Sequence, residues 1–173
     1  MNSRRCIRCV ASACLVALLA AFTAYALADE TASPKEVIAK VREAAELLGT
    51  LGESGIPQIQ DPNGRFRWKD SYVFVVDCAS DRVMANSAFP ARVGGDIKQH
   101  LDYAGKPYGA ELCRASKQQP SGVWVEYVWP RGGRLVPERK VSFVVDVSNR
   151  EFQVGAGIYG AQYRKAELAQ FID

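Results

Sequence analysis

The sequence predicts an α+β fold: one antiparallel sheet of five strands, a long helix ahead of it, and a helical insertion after the second strand. Three observations carry this. "SPKEVIAKVREAAELLGTLG" repeats apolar residues at helical spacing. Five short stretches alternate with period two, or are apolar on both faces, between turn residues. These stretches form one run broken once, which segregates helices onto faces of a sheet instead of alternating them with strands.

The opening helix starts at Ser33 as N-cap, with Pro34 at the first helical position and Glu36 completing a capping box. Val37, Ile38, Val41, Ala45 and Leu48 share a face, and Gly49 and Gly52 end the run. "GIPQIQDPNGRFRWKD" then reads as a loop. It carries Ile59, Phe66 and Trp68, which an exposed loop does not need, so it is expected to fold back over the core. The first strand, 72–78, is apolar on both faces and must be covered on both. A shorter strand, 82–86, follows the turn "ASD" and loses its hydrophobicity before Pro90.

Three further strands follow the insertion. "GVWVEYVWP" sets Val125, Tyr127 and Trp129 against Trp124, Glu126 and Val128. "RKVSFVVDV" sets Val141, Phe143, Val145 and Val147 against Lys140, Ser142, Val144 and Asp146. "FQVGAGIY" sets Phe152, Val154, Ala156 and Ile158 against Gln153, Gly155, Gly157 and Tyr159. "RGGRLVP" and "SNRE" join them as hairpin loops, which predicts an antiparallel meander. In the insertion, Pro107 opens a short helix with Tyr108, Leu112 and Ala115, stopped by Pro120 and Gly122; "AQYRKAELAQFI" reads as a terminal helix. The first strand is expected at the centre, between the long helix and the insertion.

Residues 1–28 read as an export signal. Arg4, Arg5 and Arg8 precede a nearly unbroken apolar run, and "ALA" at 26–28 offers a small-x-small cleavage site before Asp29 and Glu30. That site favours cleavage over an uncleaved anchor, and leaves one domain, 29–173. The chain has 22 basic and 19 acidic residues, and the three arginines of the signal account for the whole excess. The exported part is formally neutral, so its charge offers no nucleic-acid partner. Cys6, Cys9 and Cys14 leave with the signal. Cys78 and Cys113 remain in a compartment that permits a disulfide, although two buried thiols would look the same in sequence.

The order of elements is that of a PAS-like fold. "NGRFRWKDSYVFVVD", "YAGKPYGAEL", "GVWVEYVWP", the lysine-x-x-aromatic step "KVSF" and "VGAGIY", in that order, resemble a single Cache domain across essentially the whole exported chain. The resemblance implies an extracytoplasmic small-molecule sensor. It departs from the family at Asn86 and Ser87, where a histidine–proline pair is common, and at "ASD" in place of an Asp-Gly type turn. Relatives are commonly tethered to a kinase, cyclase or chemotaxis module. Nothing follows Asp173, so a stand-alone form acting through a separate partner is expected.

The residues offer little to an enzyme. His100, the one histidine, sits in a polar segment and reads as a surface residue; no base stands beside a nucleophile, no metal-ligand spacing exists and no cofactor is expected. A ligand site is expected under the insertion, formed by Trp68, Asn86, Tyr103, Tyr108, Tyr127 and Lys140. Lys140, in an apolar strand, either snorkels from an edge or neutralises a carboxylate guest. Gly155 and Gly157 leave room for a close approach, either by the long helix or by a ligand. The leading reading is a periplasmic or secreted domain that senses a small molecule and signals to a membrane-bound signalling or transport protein. The alternative is a non-enzymatic accessory module of a membrane or redox complex.

Overall fold

The computed structural model describes residues 30–132 and 134–172, so the expected export signal lies outside the described residues. A compact unit begins at Thr31. Helix α1, Pro34–Leu51, opens with the expected capping box: Glu36 N–H donates to Ser33 Oγ, and Ser33 N–H donates to Glu36 Oε2 at 2.8 Å. Its C-cap is Gly52 at φ 58°, a left-handed conformation that glycine adopts without strain.

The stretch read as a loop holds a short helix, α2, Ile56–Gln60, and then a two-residue strand, β1, Arg67–Trp68. Ile59 and Phe66 are fully buried, so the segment does fold back onto the core. Gln60 also clamps the next edge strand, accepting from Asn86 N–H at 2.7 Å and donating to Asn86 O at 3.3 Å. The remaining strands are β2 (Ser71–Asp77), β3 (Arg82–Asn86), β4 (Val123–Pro130), β5 (Pro137–Asp146) and β6 (Phe152–Tyr159). All pairings are antiparallel, in the order β1-β2-β6-β5-β4 with β3 also on β2.

The meander β4–β5–β6 is as expected. The centre is not: β6 occupies it, buried at every residue, and β2 lies one place out. Two faces apolar along 72–76 require cover on both sides but do not choose between two such strands.

The two faces bury separate clusters. Val73, Val75, Phe143, Val154, Ala156 and Ile158 pack against Val37, Ile38, Val41 and Leu48 of α1. Tyr72, Phe74, Val76, Tyr127 and Val144 face the insertion, where Ile97, Tyr108 and Leu112 cover them. The insertion's helix, α3, spans Tyr108–Gln118; the last helix, α4, is only Lys165–Leu168, followed by a 3-10 turn. Cys78, just past the end of β2, and Cys113 on α3 are paired as a disulfide with Cα atoms 5.7 Å apart, a distance that a bridge spans without backbone movement.

The insertion also dresses the edge strand β4. Asp102 Oδ2 accepts Val128 N–H at 2.8 Å, Tyr103 N–H donates to Val128 O, and Lys106 Nζ donates to Glu126 O at 2.6 Å. These bonds occupy Val128 and the Glu126 carbonyl and so blunt that part of the edge against a foreign strand. Burial alone would raise the Asp102 carboxyl, but N–H groups of Val128, Lys106 and Ala104 outweigh it and hold it below the usual range.

Candidate functional site

A small cavity lies between the sheet and the insertion. It holds about 20 Å³ of free volume, on the order of one water molecule. Tyr72, Phe74 and Val76 of β2 form its floor, and Val83 and Asn86 of β3 one side. Tyr127 and Trp129 of β4 stand opposite, and Arg92, Ile97, His100 and Tyr108 close it from the insertion.

Local irregularities aim these side chains. Val83 and Asn86 are three residues apart, so a regular strand would turn them to opposite faces. The register shift in β2–β3 pairs Val83 with Val76 and Asn86 with Phe74, leaving Met84 extra and bringing both residues to the cavity face. Asn86 Oδ1 then accepts Phe89 N–H at 3.0 Å and starts the insertion. On α3, Gly109 carries no side chain where the Ile97 carbonyl comes closest, which lets Ile97 and Tyr108 wall the same space.

The glycines of "VGAGIY" serve this face too. A Cβ at Gly155 would run into the Phe74 ring, and one at Gly157 into Lys140 and Ser142. What approaches them is therefore side chains of the neighbouring strands β2 and β5, not α1.

Of the expected site residues, Asn86, Tyr108 and Tyr127 meet in this cavity, and the rings of Tyr108 and Tyr127 stack with centroids 4.6 Å apart. Trp68 does not join them. Cross-strand partners share a face, and Trp68 pairs with Ser71, which places it with the α1 cluster on the far side of the sheet. Tyr103 is 57% exposed and rests edge-on against Trp129, outside the cavity.

Lys140 lies opposite Tyr127 in the β4–β5 register and is fully buried. It is not an edge snorkeler, and it is not a cavity wall either. Its Nζ donates to Tyr72 Oη at 3.1 Å and sits 4.2 Å from the Tyr72 ring, with Phe74, Tyr127 and Tyr159 also within cation–π reach. Burial pulls its ammonium down to about 7, against a smaller opposing pull from Asp70. Burial likewise pushes Tyr108 up to about 12 and raises Tyr72, Tyr127 and Tyr159 well above the usual phenol value, so these phenols are neutral.

The sequence reading missed Tyr72, Arg92, His100 and Trp129. His100 is not a simple surface residue: its Nδ1 is buried without a partner, and burial, then the charge of Arg92, lowers its pKa. Tyr72 was within reach, since it alternates with Phe74 and Val76 on one face of the first strand. Among the described residues no group of three or more His, Cys, Asp or Glu is placed to hold a metal ion. None of the described helices is long and apolar enough to cross a membrane.

An antiparallel sheet sealed by a long helix on one face and roofed by an insertion over a small aromatic cavity on the other defines a PAS-like α+β domain. The family model for single Cache domain 2 matches residues 27–170, and the chain belongs to that family. Solved structures share the fold. The periplasmic sensor domain of a chemotaxis protein is 23% identical, covering 70% of this chain and 89% of that one at a TM-score of 0.59. A Cache chemosensory domain, described for its carboxylic acid recognition, is 20% identical over 72% and 90% at 0.61. A methyl-accepting chemotaxis protein from Vibrio parahaemolyticus is 18% identical over 72% and 86% at 0.60.

Proposed function

We propose that residues 29–173 form a periplasmic domain that binds a small carboxylate and signals through a separate membrane-bound signalling or transport protein. The observation that carries this reading is the cavity itself: apolar walls from three strands and an insertion, with a few convergent polar groups. The carboxylic acid recognition ascribed to one structural relative fits the cations gathered around it, Arg92 at the wall and Lys140 beneath the floor. A guest larger than a water molecule must displace a wall. The half-buried Arg92 and His100 side chains of the insertion are the walls able to swing aside, because the backbone between them is hydrogen-bonded to β3, Gly94 N–H to Val83 O at 2.8 Å and Val83 N–H to Gly95 O at 3.0 Å. A domain that binds without catalysing needs a partner to read that displacement.

A thermal-shift screen of the exported domain tests this, with short carboxylates, amines and amino acids as the three panels. At a hundredfold excess over its Kd a guest stabilises the folded state by about 2.7 kcal/mol, several degrees for a domain of this size. Carboxylates are expected to give the shift. A folded domain that responds to none of the panels overturns the reading. In that event the accessory-module alternative gains from Leu135 and Val136, 93% and 70% exposed between β4 and β5, which suit a protein contact.

A further inference from the structure

The cations of the sheet and the one at the cavity wall differ in what already satisfies them. Arg131 is bidentate on Glu138 and also meets Asp70; Arg139 is bidentate on Glu126. Lys140 is held by Tyr72 and separated from the cavity by that ring. Arg92 has none of this. It is half-buried on the 3-10 turn Pro90–Arg92, its guanidinium lies 5.0 Å over the Trp129 ring, and among the described residues it has no carboxylate or hydrogen-bonding partner. Stacking on Trp129 leaves its in-plane N–H fork available, the geometry that fits a carboxylate edge-on. His100 reaches the same cavity from the same segment, with its buried Nδ1 unpartnered. In the Nδ1–H tautomer, or protonated, it is a second donor beside the first.

The apolar lining lies elsewhere in the cavity: Phe74, Val76 and Val83 belong to the strands, and Ile97 packs beside them. A guest with one charged end and a short apolar body is therefore oriented by the walls. Building on the proposed carboxylate site, we propose that Arg92, assisted by His100, takes the guest's negative group on the insertion side, and that Lys140 acts only through the Tyr72 hydroxyl. Arg92 is then the residue that selects an acid over its neutral isostere. It also lies on the insertion, so the contact that confers selectivity is made on that side of the cavity.

Calorimetric titration of acetate and propionate, and of acetamide and propionamide as neutral isosteres, tests the assignment. Arg92→Met keeps an apolar side chain on Trp129 without the charge, and Arg92→Lys keeps the charge without the fork. Arg92→Met is expected to weaken the acids about 10- to 100-fold, the range for a hydrogen-bonded charge, and to leave the amides unchanged. Arg92→Lys is expected to fall between. Lys140→Met, acting through Tyr72, is expected to weaken acids and amides alike. Acids bound equally well by wild type and Arg92→Met, or an acid-selective loss in Lys140→Met, overturn the assignment and return the anion to the sheet side while leaving a carboxylate site in place. Wild-type protein that binds none of the four removes the carboxylate site, and this assignment with it.

Discussion

Lys140 is the residue whose environment makes the plainest physical demand. An ammonium buried among four aromatic rings, with one hydroxyl for a partner, is held near pKa 7 by burial, against 10.5 in the unfolded chain. Between those values the unfolded chain binds a proton that the folded chain does not. Stability therefore rises with pH across roughly 7 to 10, by at most about 1.4 kcal/mol per unit. The buried tyrosines act in the opposite sense: their raised pKa values keep them neutral while unfolded tyrosines ionise, so stability falls above about 10. His100, with its lowered pKa, acts only at lower pH and leaves the window clear. Urea denaturation at pH 7, 8 and 9 should show wild-type stability climbing and Lys140→Met staying level. A wild-type protein equally flat would show that the lysine keeps its proton. At this scale the sequence was partly legible. Asn86, Tyr108 and Tyr127 could be placed because strand and helix periods point them inward, with Asn86 relying on a bulge that no period reveals. Arg92 and His100 could not, since a polar 3-10 turn and the irregular segment after it have no period and carry no mark of which face they pack against.

The elements obey local rules more closely than the site does. Capping at Ser33 and Pro34, the period of α1 and the three-strand meander are short-range signals, and each appears where the sequence puts it. What failed depends on distant partners. The central place of β6, the face of Trp68 and the short strand β1 are fixed only when 66–77 pairs with itself and with 152–156. The disulfide is the element-scale device that holds the insertion to the sheet. It closes a separation of 35 residues, which stabilises the fold by about 3–4 kcal/mol on the chain-entropy model. It also fixes α3, whose first residue, Tyr108, is a cavity wall. The paired replacement of Cys78 and Cys113 by Ala should lower the denaturation free energy by about 2–4 kcal/mol. Intact protein should show no free thiol in 29–173. Two titratable thiols under non-reducing denaturation would refute the bridge.

For the whole molecule, the question is whether the chain is cut ahead of the fold, and where. Signal-like residues occupy 1–28, and the family match starts at residue 27. The fold makes its first commitment almost at once: Ala32 is buried and its N–H donates to Asp70 Oδ1 at 2.7 Å. Asp70 is the same carboxylate that receives Arg131, so the entry of the chain is tied to the β1–β2 turn and to the end of β4. One residue on, Ser33 and Glu36 cap α1, and Lys69 Nζ reaches Glu36 at 2.7 Å. That hydrogen bond, then the Ser33 N–H, pulls the Glu36 carboxyl down to about 2. A cut after Ala28 leaves three residues as a tether and every one of these contacts intact. A cut after Ser33 removes the cap, which typically costs about 1 kcal/mol, together with the Ala32 bond. The expected N-terminus of the protein recovered from the periplasm is Asp29, read by intact mass. A chain starting at Pro34 should be less stable by about 1–3 kcal/mol in urea. Recovery only in the membrane fraction, with residues 1–28 still attached, would overturn the cleavage and make the domain an anchored one.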